Sequence, residues 1–261
     1  MEINKDNYDK LKKDKLTRAK IAEVFGIPEW KLKKLIAKEG WGRKVPKYVY
    51  NGCFSSLTEE SAYWLGFLYA DGCVDTRGRV RLMLQEGDVR HLEKFAAFTN
   101  STEFTIQECN GYKRRAIEFT SREMCKDLEK YSIVPNKTLS TVIPDISVFG
   151  KYLRDFLRGL FDGDGTISES FSNVNSRTAT LYTGFSISKP NMIWLDKVLS
   201  EVVNVTYKSY EKANIFTITL NTNKSVDLLH YMYANTAESC RLDRKYALYE
   251  DIVINGNRKT R

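Results

Sequence analysis

Histidine is almost missing from this sequence: 261 residues hold only His91 and His230. That argues against zinc held by several imidazoles and against a nuclease built on a catalytic histidine. Cysteine is sparse and scattered. Cys53, Cys73, Cys109, Cys125 and Cys240 are odd in number and contain no CxxC pair. They read as reduced thiols in an intracellular protein, not as a disulfide frame or a zinc site. No apolar run reaches the roughly 18 residues a spanning helix needs, so no membrane association is expected. The opening stretch, MEINKDNYDKLKKDK, has no apolar core, so no signal peptide is expected either. The expected location is the cytoplasm or nucleoid of a bacterium or phage-infected cell, or an organelle matrix. Disorder is excluded as the main state, because Tyr 15, Phe 13 and Trp 4 are too many aromatics for a solvated chain. A 42% hydrophobic content supports one large domain or two modest ones.

Charge is unevenly spread. The net charge is +8, and residues 1 to 50 hold 14 Lys/Arg against 7 Asp/Glu. A basic segment on a nearly neutral body suggests a polyanion-binding attachment, although a solubilising surface gives the same arithmetic.

Within that segment, LTRAKIAEVFGIPEWKLKKLIAKE begins at Leu16. Leu16, Ile21, Val24 and Ile27 can face one small core, with Leu32, Leu35 and Ile36 on a following helix. Thr17 can cap the first helix, Gly26 permits the turn, and Pro28 suits the start of the second helix. The pattern resembles a DNA-binding helix-turn-helix over residues 1–40. The second helix would carry Glu29, Lys31, Lys33, Lys34 and Lys38. An ordinary helical hairpin with a solvated basic face is the alternative. Residues 41–57, interrupted by Gly, Pro and Asn, read as a linker kept basic by Arg43, Lys44 and Lys47.

From Leu57 onward the chain repeats itself. SAYWLGFLYADGCV begins at Ser61 and YLRDFLRGLFDGDGTI at Tyr152. Both are apolar helical runs that end in Asp-Gly, at Asp71-Gly72 and Asp164-Gly165. Strand-like alternation follows each, then a helix (DVRHLEKFAAF, NMIWLDKVLSEVV). Two strand candidates follow (EFTIQ and RAIEFT; VTYKSY and IFTITL), then a last helix (SREMCKDLEKY, KSVDLLHYMYAN). The fold class is therefore α+β, with two αββαββα repeats over residues 58–144 and 145–255. Gly66 and Ala70, like Gly159 and Gly163, are spaced i, i+4. Glycine within a helix costs about 1 kcal/mol relative to alanine, so these positions need a packing reason. If the two small-residue stripes pack together, Asp71 and Asp164 meet. Ser56 with Glu59 gives a capping-box pattern for the first of these helices.

WLGFLYADG (Trp64 to Gly72) and LRGLFDGDG (Leu157 to Gly165) resemble the LAGLIDADG motif of homing endonucleases. Two copies 93 residues apart resemble the single-chain, pseudo-symmetric members. The first copy departs from the consensus at Tyr69, where the family usually has an acid. The resemblance implies two sheets forming a saddle over double-stranded DNA. It also implies that Asp71 and Asp164, the last acid of each motif, hold divalent metal between two scissile phosphates. Mg²⁺ is expected, with Mn²⁺ substituting. A basic residue after each repeat's last helix is implied to organise water, which points to Lys137 and Lys245. Gln85 lies where the family often has a polar residue on that water, with Ser188 its second-half counterpart.

The strands fit such a surface independently. In VDTRGRVRLMLQ, Val80, Leu82 and Leu84 alternate with a polar row of Arg77, Arg79, Arg81, Met83 and Gln85. Arg suits guanine edges and Gln adenine edges. In TATLYTGFSIS, Leu181, Thr183, Phe185 and Ile187 alternate with Thr180, Tyr182, Gly184, Ser186 and Ser188. The expected activity is site-specific cleavage of both strands of a long DNA target, leaving 3′ overhangs. The expected agent is a monomer that needs no protein partner. The same scaffold would also serve a non-catalytic DNA-binding regulator or an RNA-splicing maturase. Regulators of this kind tend to lose the motif acids, and both are retained here.

Overall fold

The computed structural model describes residues 2–41, 48–101, 114–135, 141–173 and 175–260. The chain divides into two compact units, Met1–Lys47 and Tyr48–Arg261.

The N-terminal unit holds three helices, α1 (Lys5–Lys13), α2 (Arg18–Val24) and α3 (Glu29–Lys38). Asn4 caps α1 by accepting from the Asn7 amide, and Thr17 caps α2 by accepting from the Lys20 amide. Gly26 takes φ +66° in the turn between α2 and α3, a conformation that favours glycine. The core is Tyr8, Leu11, Ile21, Ala22, Phe25 and Leu32, with Leu16, Ile27, Ile36 and Trp41 packed at its edge. Two expectations change. Val24 points outward, 42% exposed, and Phe25 takes the inward place. Ile21, Ala22 and Phe25 share one helical face that Val24 falls beside. The segment before Leu16, read only as charge, supplies α1 and two core side chains.

In the body, the first half runs α4 (Glu59–Asp71), β1 (Gly72–Val74), β2 (Arg79–Gln85), α5 (Val89–Phe98), β3 (Arg114–Thr120) and α6 (Arg122–Glu129). The second runs α7 (Leu153–Asp164), β4 (Gly165–Ser170), β5 (Thr180–Ser188), α8 (Met192–Lys197), β6 (Lys208–Lys212), β7 (Ile215–Asn221) and α9 (Thr222–Tyr233). A further helix, α10 (Asp243–Tyr249), follows α9. Both sheets are antiparallel, ordered β1-β2-β3 and β4-β5-β7-β6. The second half shows the full αββαββα order. In the first, the strand expected at EFTIQ lies outside the described residues. No described helix is long and apolar enough to cross a membrane.

Residues 48–57, read as linker, belong to the body. Tyr48 is buried against Phe119, with ring centroids 4.5 Å apart, and donates to the Thr99 carbonyl. Phe54 is fully buried beside Phe98. Burying these aromatic side chains overrides the turn signals of Asn51 and Gly52. The N-cap of α4 also shifts from Ser56 to Thr58. Thr58 Oγ1 accepts from the Ser61 amide at 3.0 Å while Ser61 Oγ accepts from the Thr58 amide at 2.7 Å. Serine thus fills the role that Glu or Gln usually has in a capping box.

The helices α4 and α7 cross at the centre. A Cβ on Gly66 would sit 2.0 Å from the Phe156 carbonyl oxygen, and one on Gly159 would sit 1.9 Å from the Tyr63 carbonyl oxygen. Phe156 follows Tyr63 by the same 93 residues that separate the two glycines. The contact is therefore reciprocal about a pseudo-two-fold axis. Backbones meet where no side chain intervenes, and each sheet lays its apolar face (Val80, Leu82, Leu84; Leu181, Phe185, Ile187) toward the helices.

Candidate active site

Asp71 and Asp164 are the last residues of α4 and α7, and both are exposed. The crossing brings these ends together. Asp71 Oδ2 lies 3.5 Å from the position a Cβ would take on Gly163, the residue before Asp164. Each carboxylate sits at the negative end of its own helix dipole and near the other's negative end. That arrangement concentrates negative charge at one point, which favours a cation there.

Lys245 lies beneath this point and is not a surface residue. It is 2% exposed. Its ammonium donates to the carbonyls of Phe161 at 2.5 Å, Asp162 at 2.9 Å and Gly165 at 2.5 Å, closing the end of α7. Burial pulls its pKa down to about 8, while Asp162, Asp71 and Asp164 favour its charge. The lysine therefore fixes the segment that presents Asp164 and adds positive charge below the carboxylates.

Beside Asp71 lies a cavity of about 270 Å³ lined by Met83, Gln85, Asp88, Arg114, Asp162 and Arg244, among others. Gln85 Nε2 donates to Asp88 Oδ2 at 3.0 Å, which orients its amide. Arg244 Nε donates to both oxygens of Asp88, at 3.1 and 3.0 Å, so the C-terminal region of the second half grips the first. Arg114 stands directly opposite Gln85 on β3. No sequence motif singles out Asp88, Arg114 or Arg244. The one signal for Asp88 is its place three residues after Gln85, matched by Asn191 after Ser188.

The corresponding place in the second half is uncharged. Asn191 accepts from the Ile143 amide at 2.7 Å, and its Nδ2 donates to Ser188 Oγ, the Thr141 carbonyl and Tyr69 Oη. Ser188 is thus engaged in this network. Tyr69, the departure from the motif consensus, donates to the Thr141 carbonyl at 2.9 Å. Its counterpart Asp162 is buried, accepting from Tyr63 Oη and the Leu242 amide at 2.8 Å each and from Tyr233. Burial pushes the Asp162 carboxyl above its ordinary range, opposed by Lys245 and these donors.

The outward sheet faces follow the expected alternation from Arg79 to Gln85 and from Thr180 to Ser188. Arg77 does not join its row. It lies in the turn between β1 and β2, where its amide donates to Asp75 Oδ1, because the turn occupies residues 75–78. Arg79 is tied to Asp75 at 2.7 Å and Glu118 at 3.5 Å, and Arg81 shares its face. On the second sheet, Tyr182 and Ser186 line a shallow polar surface with Thr166, Ser168, Thr217 and Thr219. Lys31, Lys33, Lys34 and Lys38 are exposed on α3 of the separate N-terminal unit. Arg43, Lys44, Lys47 and Lys137 lie outside the described residues.

Among the described residues, no group of three or more His, Cys, Asp or Glu is placed to hold a metal ion alone. Two carboxylates at paired helix ends still fit magnesium, which takes one or two protein carboxylates and completes its shell with water and substrate phosphate.

No protein-family model matches the chain, and no curated protein matches it in sequence. Solved structures do share its fold. The I-SmaMI LAGLIDADG homing endonuclease bound to cleaved DNA is 13% identical, with 77% of this chain and 91% of that one covered at a TM-score of 0.53. I-SmaMI bound to an uncleaved DNA target in the presence of calcium ions is 12% identical, with 77% and 93% covered at 0.52. The LAGLIDADG meganuclease I-CpaMI bound to uncleaved DNA is 12% identical, with 77% and 94% covered at 0.51. This chain has the fold of the single-chain LAGLIDADG homing endonucleases.

Proposed function

We propose that the body is a site-specific homing endonuclease that hydrolyses both strands of a long double-stranded DNA target, leaving 3′ overhangs. The observation that carries this reading is the convergence of Asp71 and Asp164 on helix ends locked by reciprocal glycine contacts. Two acids brought together against their own helix dipoles are what a metal-dependent phosphodiesterase needs. The DNA complexes of the fold neighbours, one with calcium ions, support the same reading.

Asp71 and Asp164 would hold Mg²⁺, or Mn²⁺ in its place. When bound, the metal supplies charge stabilisation to the phosphate and hydroxide at neutral pH. Gln85, its amide set by Asp88, orients water on the Asp71 side. Lys245 holds the Asp164 segment and adds positive charge against the developing phosphorane. Lys137 is assigned the same basic role for the first half. Arg79, Arg81 and Gln85 on one sheet, with Tyr182, Ser186 and Ser188 on the other, meet bases and phosphates. One chain supplies both acids, so a monomer suffices, acting inside the cell where its DNA resides.

The test is cleavage of DNA spanning the uninterrupted insertion site in Mg²⁺. Asp71→Asn and Asp164→Asn should each abolish double-strand cleavage and leave binding nearly unchanged, because the amide keeps the shape but loses the charge that holds the metal. A variant that cuts both strands at the normal rate removes that residue from the site.

A further inference from the structure

The two sheets of the body carry different amounts of charge. In the first, β2 and β3 hold Arg79, Arg81, Arg114 and Arg115. In the second, β4, β5 and β7 hold no lysine or arginine. The outward side chains there are hydroxyls, among them Thr166, Ser168, Tyr182, Ser186, Thr217 and Thr219. Hydroxyls bond to phosphates and base edges, but they neutralise no phosphate and release no counterion. Lys208 and Lys212 bring charge to one edge, on β6. At the start of β5 it comes from a distant part of the chain. Beyond α10, Gly256 turns at φ +71°, and Asn257 holds the turn: its amide donates to the Asp251 carbonyl at 3.0 Å and its Nδ2 to Asp251 Oδ1 at 2.7 Å. Residues 258–260 then lie beside the start of β5. Thr260 pairs antiparallel with Thr178, the Ala179 amide donates to the Lys259 carbonyl at 2.8 Å, and the Lys259 amide donates to Glu169 Oε1 at 3.3 Å.

This docking uses main-chain groups and the Glu169 carboxylate, so it consumes none of the cations it brings. Thr178 is exposed and in step with Thr180 and Tyr182, whereas Ala179 and Leu181 are buried. Thr260, as the partner of Thr178, shares the outward side, and so does Arg258 two residues earlier. Arg258 is half-buried, and Lys259 and Arg177 beside it are exposed. The place of this cluster along the sheet follows from register. β4 leaves Asp164 directly and reaches Ser170, the partner of Thr180. At about 3.3 Å per residue, that end of the sheet is roughly 20 Å from the acid. Phosphates follow each other about every 3.4 Å along one strand of a duplex, so this is about six base pairs. We infer that residues 258–260, docked against β5, form a phosphate clamp for the DNA half under the second sheet, with Arg258, Lys259 and Arg177 neutralising phosphates about six base pairs from the cut. The inference rests on the nuclease reading, which lays DNA across both sheets, and adds to it a contact made outside either sheet.

The test footprints the full chain, without Mg²⁺, on labelled DNA spanning the uninterrupted insertion site. Arg177→Gln, Arg258→Gln and Lys259→Gln combined should remove backbone protection on one flank only, about six base pairs from the cut site. The triple variant should also flatten the slope of log affinity against log salt by roughly 0.9 for each phosphate no longer neutralised. Arg79→Gln with Arg81→Gln, on the first sheet, should expose the opposite flank instead. Arg258→Lys with Lys259→Arg keeps the charge and should keep both the protection and the slope, which separates a phosphate contact from a defect in folding. Cleavage by the triple variant at saturating protein in Mg²⁺ should persist. A wild type that protects and cuts this DNA, with a footprint and salt slope that the triple variant leaves unchanged, overturns the inference and leaves the nuclease reading standing. A wild type that neither protects nor cuts it overturns both.

Discussion

Position 158 in α7 is a fully buried arginine, and its counterpart 93 residues earlier in α4 is the buried Leu65. The same exchange recurs along the two helices. Asp155 answers Ala62, and Asp162 answers Tyr69. Arg158 donates to the carbonyls of Cys240 and Met232 and pairs with Asp155 at 2.8 Å. The second motif helix therefore grips the Met232–Leu242 segment with charge, where the first packs its partners with aliphatic and aromatic side chains. Yet at the closest approach of the crossing and at the helix ends the two halves keep the same residues. Gly66 answers Gly159 and Asp71 answers Asp164. The surface facing the pseudo-axis must be self-complementary, so both copies keep it; a face turned away from the axis meets different neighbours and diverges.

The largest effect should come from breaking the shared surface. Gly66→Leu or Gly159→Leu puts a Cβ within 2.0 Å of a carbonyl oxygen on the other helix. Neither backbone can yield without separating the helices. Each variant should lose on the order of 4 kcal/mol or more, read as a collapsed or absent thermal transition. Because the packing is reciprocal, the two losses should be similar. One tolerant position would show that the crossing is not symmetric.

Next in size is the divergent pair. Asp162→Ala orphans two tyrosine hydroxyls and the Leu242 amide at a buried position, and should cost about 3 to 5 kcal/mol. Tyr69→Phe removes one hydroxyl shared by Thr141 and Asn191, and should cost about 1 kcal/mol. Equal losses in urea unfolding would contradict the assignment of charge anchoring to the second half.

Acid should separate the halves more gently. His91 in the first half occupies the place that Trp194 holds in the second. Its Nε2 lies 3.0 Å from Tyr63 Oη, whose proton goes to Asp162. Nε2 is then the protonated nitrogen, and the ring is neutral. Burial holds its pKa well below 6.5. The unfolded chain therefore binds a proton that the native state refuses, and stability is lost as pH falls below about 6.5, by up to about 1.4 kcal/mol per pH unit. Asp162, shifted upward, acts with the opposite sign. The comparison to make is wild type against His91→Phe between pH 5 and 6.5. A variant whose melting temperature falls as steeply as wild type would show that His91 is not the group titrating.

Much of this is legible in the sequence because the duplication prints it twice. The Asp-Gly ends, the i, i+4 small residues and the alternating strands each recur, and recurrence outweighs local ambiguity. What stays illegible comes from single copies and distant partners. Nothing in the sequence marks Arg158 and Asp155 as buried; only the folded Met232–Leu242 segment gives them a reason to be. Lys245 reads as either a surface or a site lysine, and its burial depends on carbonyls at the end of α7. Arg114 and Arg244 reach the cavity beside Asp71 from strand and helix positions with no local motif. Arg77 fits the period of two by count but falls in a turn.

The smallest effect tests a place where the self-facing surface is not matched. Ala70 and Gly163 are equivalent, and they meet each other. A Cβ on Gly163 would lie 2.3 Å from the Cβ of Ala70. There is room at this point for one methyl group, not two, and the asymmetry of the two motifs is a packing requirement. Gly163→Ala alone should therefore destabilise the body by about 1 to 3 kcal/mol through overpacking. Ala70→Gly alone should cost about 0.5 to 1 kcal/mol through helix propensity and the missing methyl. The double exchange restores one methyl on the other side of the axis, so its cost should be smaller than that of Gly163→Ala alone. Urea unfolding of the four proteins gives the coupling directly, and the cycle should show a favourable interaction of about 1 kcal/mol or more. Additive losses would mean that the two positions do not share a space. The Ala-for-Gly difference between the motifs would then be unrelated to the crossing.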